Sequence, residues 1–591
     1  MKEQKTINII SVIFTLFALL ITILFMNGER LGLTKVVDTD EEGTEEAASE
    51  YFSKNDLNGN WDSGSATKIT MDGTKIKIKG SGAYEYNGDV VISQGGWYVF
   101  SGALDDGCIK VDADKTSKVW ILFDNADIYA SDDAALRIDQ ADKVFLTLAD
   151  GSVNRLECGD TMSDEAEDDG TNGVIFAHDD LTINGSGNLN IVSNYEHGIK
   201  AKDSLKICGG TISIKAISDG IHVNDHFRMT AADVTIDAMD DGICSEGDLL
   251  IASGKLLISD CYEGLECPQI TVLDGDIEIY PDDDGFNANG GEGGFGNFGF
   301  FSKTEDSEET EEEAADPCVT IYSGNIKIFN PDAKDADGID SNKNIYIYGG
   351  NIFISLPGGG PNNGIDFGSE SGGVCEIHGG TVISCGGASM VEQFDTSSCQ
   401  ASLLYNLSNS TDDNVSVTLT DEDGNVIIDT VIPTGFDSIQ LSCPEMKTGA
   451  TYMLKIGDKE EEITLDTVST SVGSISGFEN FGGGNKGFPG RSERPERSEE
   501  SEEEENEKTE MPGGMRRPDF GNEESENVSG KTFEKTAESG FEKTVKETEK
   551  KEFVSTAKNL SEYDTSVWKY LAASVIVLAA ALFSTKLFRR W

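Results

Sequence analysis

Asn172-Gly173-Val174, His197-Gly198-Ile199, Asp219-Gly220-Ile221, Asp241-Gly242-Ile243, Glu263-Gly264-Leu265, Asp284-Gly285-Phe286, Asp337-Gly338-Ile339 and Asn363-Gly364-Ile365 are versions of one phrase. An acidic or polar residue is followed by glycine and then by a large apolar residue. The glycines stand 25, 22, 22, 22, 21, 53 and 26 residues apart, the 53 being one period that carries an insertion. A fixed period of roughly 20–50 residues marks a repeat architecture.

The rest of each period says which architecture. After the glycine phrase comes a short alternating run, such as Leu205/Ile207 or Leu249/Ile251. A turn follows, and then a second alternating run, such as Ile212/Ile214 or Leu256/Ile258. Alternation of period two means strands with one buried face. Three short strands in about 22 residues are too few for a propeller blade of roughly 40 residues, and they suit one rung of a parallel β-helix. Rungs stack at about 4.8 Å, so equivalent residues form ladders. The ladder after the glycine reads Val174, Ile199, Ile221, Ile243, Leu265, Phe286, Ile339 and Ile365, apolar throughout and expected to point inward. The glycines are expected where the backbone turns with positive φ or where a Cβ would clash.

The predicted fold class is therefore all-β, a solenoid with β caps, flanked by transmembrane segments and disordered spacers. Residues 1–28 hold the apolar run Ile7–Met26 behind Lys2 and Lys5, read as an uncleaved anchor or a signal segment. An acidic linker fills 29–50, and 51–156 reads as the N-terminal cap and first coils. The rungs occupy 157–400, interrupted at 287–316 by a Gly-rich, acidic insertion that cannot bury enough apolar surface to order itself. Residues 401–468 read as a C-terminal β cap, 469–566 as a disordered acidic spacer and 567–588 as a second transmembrane helix. Basic residues on the outer flanks of both apolar runs place both termini in the cytoplasm and the middle outside the cell, facing away from the cell membrane.

The 591 residues carry 46 Lys plus Arg against 107 Asp plus Glu, a net charge of −61. Nucleic acid is excluded as a partner, because phosphate binding needs basic surface. Cations are invited instead. The eleven cysteines cannot all pair, so this is no disulfide scaffold, although a Cys261/Cys267 bridge stays open. Cys208, Cys244 and Cys267 read as small buried hydrophobes.

The column before the glycines holds Asp219, Asp241, Glu263, Asp284 and Asp337. The neighbouring positions add Asp240, Asp283, Asp340 and Asp366. Carboxylates stacked at ladder spacing repel unless neutralised, and Ca²⁺ accepts about 6–8 oxygens in flexible geometry. These nine residues are the expected Ca²⁺ ligands, and six of them make the two expected clusters, Asp219/Asp240/Asp241 and Asp337/Asp340/Asp366. The alternative for each Asp-Gly is plain turn chemistry, with the Asp capping backbone. The five histidines show no HExxH, and His222 and His226 at i, i+4 on a strand do not meet one metal. No GxSxG and no phosphate loop is present. Lys200, Lys202 and Lys215 lie near the acids, as solvated lysines or as bases for an elimination. Trp97, Tyr195, Tyr262, Tyr280 and Tyr322 are candidate sugar-stacking rings. Tyr195, Tyr262 and Lys200 are the expected ligand contacts.

The runs Ala66-Thr67-Lys68-Ile69-Thr70, Gly96-Trp97-Tyr98-Val99-Phe100-Ser101-Gly102, Ala141-Asp142-Lys143-Val144 and Thr147-Leu148-Ala149-Asp150-Gly151, followed by the Asp-Gly-Ile rungs, resemble one family. It is the bacterial carbohydrate-binding domain family with a right-handed parallel β-helix and bound calcium, similar in fold to calcium-dependent pectate lyases. The resemblance spans about residues 51–468. It implies binding of cellulose and acidic sugars, with calcium and without cleavage; with the two apolar runs, the expectation is a monomeric cell-surface protein that holds cellulose or acidic glycans such as polygalacturonate. In the lyases, acids in successive rungs are paired with a lysine one or two rungs on. Asp219, Asp240 and Asp241 match the acids, and no lysine follows in the matching place. A calcium-dependent lyase and a purely structural adhesion protein are the competing expectations.

Overall fold

The computed structural model describes residues 51–61, 64–289, 316–389 and 391–473. The apolar runs Ile7–Met26 and Trp568–Phe588, the linker at 29–50 and most of the 287–316 and 469–566 segments lie outside these residues. Among the described residues no helix is long and apolar enough to cross a membrane. The chain divides into two compact units, 1–55 with 550–591, and 56–549. Only 51–55 of the first are described, and everything below concerns the second.

Alternating sequence gives strands almost throughout. One repeat is Leu205–Ile207, Thr211–Ala216 and Ile221–Val223. The next is His226–Met229, Ala232–Ala238 and Ile243–Ser245. Each strand pairs in parallel with its counterpart one repeat along, with Leu205 opposite Phe227, Ile212 opposite Val234 and Ile221 opposite Ile243. Parallel pairing of this kind begins well before residue 157, at Thr67–Gly73 against Gly96–Leu104.

The apolar ladder lies inside. Ile199, Ile221, Ile243, Leu265, Phe286 and Ile339 are fully buried and Ile365 is nearly so. Each such side chain stabilises by about 1.5–3 kcal/mol relative to exposure. The first rung departs from the expected register. Gly173 stands opposite His197, and Ile175, not Val174, stands opposite Ile199. Val174-Ile175-Phe176 is apolar at three consecutive positions, so its alternation alone could not fix the phase.

The repeated glycines have one physical cause. Gly198, Gly220, Gly242, Gly264, Gly285 and Gly338 do not have positive φ. A methyl on Gly242 would lie 2.7 Å from the carbonyl oxygen of Gly264 and 2.6 Å from Ile258 Cδ1. The same clash recurs from Gly220 onto the carbonyl of Gly242 and from Gly264 onto that of Gly285. Those carbonyls accept from the apolar residue of the preceding rung, as in Ile221 N–H to Gly242 O at 3.1 Å and Ile243 N–H to Gly264 O at 3.0 Å. Glycine lets the rungs close up around this bond.

Four features differ from the sequence reading. A short helix, Asp164–Asp169, stands between Cys158 and Gly173, capped by Ser163 and ended by Gly170 at φ 73°. The strand Phe286–Ala288 continues through Asn287, so the insertion leaves the ladder later than 287. The C-terminal β region extends past 468, because Ser469–Val472 pairs with Ser402–Asn406. All eleven cysteines are free, so Cys261 and Cys267 are not bridged. At the C-terminal end, Ser438–Ser442 runs antiparallel to Thr381–Gly386. A four-stranded antiparallel sheet with its own core, including Val417, Leu419, Leu454 and Ile463, follows the last rungs.

Candidate metal centre

The ladder that follows each glycine bears the chemistry. Two residues after the glycine, its other face reads Lys200, His222, Cys244, Glu266, Asn287, Asp340 and Asp366 along successive rungs. Towards the N-terminus the same column continues through Phe176 and Arg137 to Lys110. The column thus passes from cationic to anionic. Its cationic end is internally paired, Lys110 with Asp89 and Asp133 at 3.1 Å and Arg137 with Asp133 at 3.1 Å.

Beside it runs the column that precedes the glycines. One oxygen of each of its four aspartates caps the corner of the next rung. Asp219 Oδ1 accepts from Asp241 N–H and Asp241 Oδ1 from Glu263 N–H, both at 3.3 Å. Asp284 Oδ1 accepts from Asp337 N–H at 2.9 Å, and Asp337 Oδ1 from Asn363 N–H at 2.8 Å. The capping role expected of Asp-Gly is therefore real, and it runs between rungs.

Among the described residues, the two columns together with Asp283 bring donors together in five groups, each within 4.8 Å: His197/Asp219/His222, Asp219/Asp241/Cys244, Asp241/Glu263/Glu266, Glu263/Asp283/Asp284 and Asp337/Asp340/Asp366. The last is the sequence-expected trio. Asp240 belongs to none of the groups, so the expected Asp219/Asp240/Asp241 cluster is not formed. Cys244 replaces Asp240 there, because the residue two beyond the glycine faces the acids.

Burial makes these acids reluctant to ionise. It pushes Asp241 up to about 11, with Glu266, Asp219 and Glu263 adding repulsion. Burial, then Asp337 and Asp340, hold Asp284 well above the usual carboxylate range. Burial and then Asp366 do the same to Asp337. Asp366 rises to about 6 through burial. Asp219 goes the other way. Burial opposes its charge, but the His222 hydrogen bond and the neighbouring imidazoles outweigh that and lower it. Burial lowers His197 to about 4.

Oxygen donors flank the last trio. Asn287 stands in register with Asp340, and Asn363 with Asp337. Both are buried, and each Oδ1 lacks a hydrogen-bond partner. An all-oxygen set of three carboxylates beside two such amides fits a hard cation such as calcium.

The expected ligand contacts divide. Tyr262 is 43% exposed, whereas Tyr195 packs against the main core. Lys200 is buried, with Nζ donating to Asn224 Oδ1 at 2.5 Å and its pKa lowered by burial. It is not a solvated lysine. Trp97 stacks on Trp120, and Tyr322 on Tyr348, so those rings cover one another's faces. Sequence reasoning missed Ile217 and Met239, 48% and 75% exposed. With Tyr262 they follow the register pairs Ala216/Ala238 and Asp237/Asp260 on successive rungs, beside the acids.

Comparison with known proteins adds a direction. Residues 86–360, under half of the chain, match the family model described as carbohydrate-binding domain-containing protein. A carbohydrate-binding domain-containing protein of Acetivibrio thermocellus is 35% identical over 151 residues, which are 25% of this chain and 53% of that protein. The chain thus spans about half the length of that relative. The solved structure of a polysaccharide lyase-like protein from C. thermocellum, a gadolinium derivative, is 26% identical, covering 46% of this chain and 93% of that one at a TM-score of 0.34.

Proposed function

We propose that this chain is a non-catalytic polysaccharide-binding protein of the cell surface, a monomer wound as a right-handed parallel β-helix and assisted by calcium. The observation that carries the reading is the group Asp337, Asp340 and Asp366 with Asn287 and Asn363 beside it. Bound calcium supplies positive charge to this acidic face and coordination positions for ligand oxygens. The family match over residues 86–360 supports a carbohydrate as that ligand. Calcium between sugar carboxylates and protein carboxylates reconciles an acidic glycan with a chain of net charge −61. Exposed Ile217, Met239 and Tyr262 offer apolar contact to sugar rings. Display outside the cell rests on the apolar runs at the two ends of the sequence.

The test is retention of the purified chain on polygalacturonate and on cellulose, with calcium and then with chelator. Retention on polygalacturonate that chelator abolishes supports the reading. Retention indifferent to chelator reduces the acids to a structural part. Retention on neither overturns the reading.

One observation favours a lyase as the second reading. Lys200, with its pKa lowered by burial, lies one rung before His222 and shares this face with the acids, as a proton-abstracting base must. Unsaturated products absorbing in the ultraviolet would decide for it.

A further inference from the structure

The column of acids begins with a histidine, and that end of the site is chemically unlike the rest. His222 Nδ1 lies 2.6 Å from Asp219 Oδ2, and His197 Nδ1 lies 3.3 Å from the same oxygen. The two rings are 4.9 Å apart. Stacking of the rungs produces this arrangement, since His197 and Asp219 precede successive glycines and His222 follows in the next strand.

A hydrogen bond to Asp219 accounts for His222 alone. His197 is buried, and its Nδ1 makes no hydrogen bond, although a carboxylate oxygen is close by. The far sides of both rings face carboxylates, His222 Nε2 with Glu246 Oε1 at 3.5 Å and His197 Nε2 with Glu196 Oε2 at 4.0 Å. Glu196 is itself held by Asn172 Nδ2 at 2.9 Å. A carboxylate behind each imidazole, with the opposite nitrogens converging, is the outer-shell pattern of histidine metal ligands.

We propose that His197, Asp219 and His222 form a site for a divalent transition-metal ion of the zinc class, distinct from the oxygen-only groups farther along the ladder. Imidazole nitrogens favour such ions, and carboxylate and amide oxygens alone favour calcium. Asp241 and Cys244 lie within 4.8 Å of Asp219 and provide further donors on the next rung. The site stands independently of the calcium reading.

The test is titration of the full, tag-free chain with Co²⁺ in excess calcium, followed by visible absorption. The expected result is one ion per chain, displaced by Zn²⁺ and not by Ca²⁺. Its binding should weaken at least about tenfold in His197→Gln and in His222→Gln and be unchanged in Asp337→Asn. Spin-echo spectra of bound Cu²⁺ in the unmodified chain should show two imidazole nitrogens, a readout that does not depend on the variants folding. Displacement of cobalt by calcium, or absence of imidazole coupling, overturns the proposal and leaves the calcium site untouched. Failure of calcium to stabilise the chain would count against the calcium site alone.

Discussion

Burial pushes the Asp241 carboxyl up to about 11 and holds Asp284 well above the usual carboxylate range. A pKa raised on folding stabilises the folded state below the unfolded value, about 3.9 for Asp, and that stability is lost as pH rises towards the folded value. Asp366, raised to about 6, and His197, lowered to about 4, have opposite signs across pH 4–6.5 and largely offset each other. The clear window is therefore above pH 6.5. There the folded chain retains protons that the unfolded chain has released. In chelator, unfolding free energy should fall by up to about 1.4 kcal/mol per pH unit for each retained proton. Calcium should flatten that slope and add about 2.7 kcal/mol at a hundredfold excess over its Kd. Asp337→Asn retains an acceptor for Asn363 N–H but removes one charge, so it should melt normally in chelator and lose most of the calcium gain. Urea unfolding at several pH values, with and without calcium, checks both expectations. An unchanged calcium gain in the variant would remove Asp337 from the site.

At the scale of the rung, the glycine is as decisive as the acid. Gly242→Ala would drive a methyl into the Gly264 carbonyl and Ile258, and overpacking of this kind costs about 1–3 kcal/mol. Gly424→Ala, where a methyl meets nothing within 4 Å, incurs only the strain of its φ of 85°, about 1–2 kcal/mol. Urea unfolding of the two variants should show a broader loss for Gly242, because its rung supports ladders on both sides. A loss well below about 1 kcal/mol at Gly242 would mean that the backbone bends around the methyl. The same packing explains what could be read without coordinates. The acid column was visible because each Asp or Glu stands next to a glycine that packing forces to recur. His222 and Cys244 were not visible, because helical spacings such as i, i+4 are the wrong ruler for ligands that meet across rungs 22 residues apart. The signal was present two positions after each glycine, where Lys200, His222, Cys244, Glu266, Asn287, Asp340 and Asp366 stand beside the apolar residue of the ladder. Val174 misled for a related reason, since a wholly apolar run carries no phase.

Over the whole molecule, 107 acidic residues are opposed by only 46 basic ones, and several of these are already committed. Lys110 and Arg137 are tied to Asp133, while Lys143 and Lys206 both reach Asp56. The excess of acids over bases thus opposes the approach of an acidic polymer. Monovalent salt and calcium should act differently on this imbalance. Salt shortens the reach of repulsion to about 8 Å at physiological strength, which permits approach but forms no bond. Calcium joins carboxylates on both partners. Retention on polygalacturonate should therefore stay low in sodium chloride at any concentration and rise when calcium is added at the same ionic strength. Retention on cellulose, which carries no carboxylates, should depend weakly on either ion. If sodium chloride alone restored retention on polygalacturonate, screening would be sufficient, and the carboxylate ladder would have no part in holding the glycan.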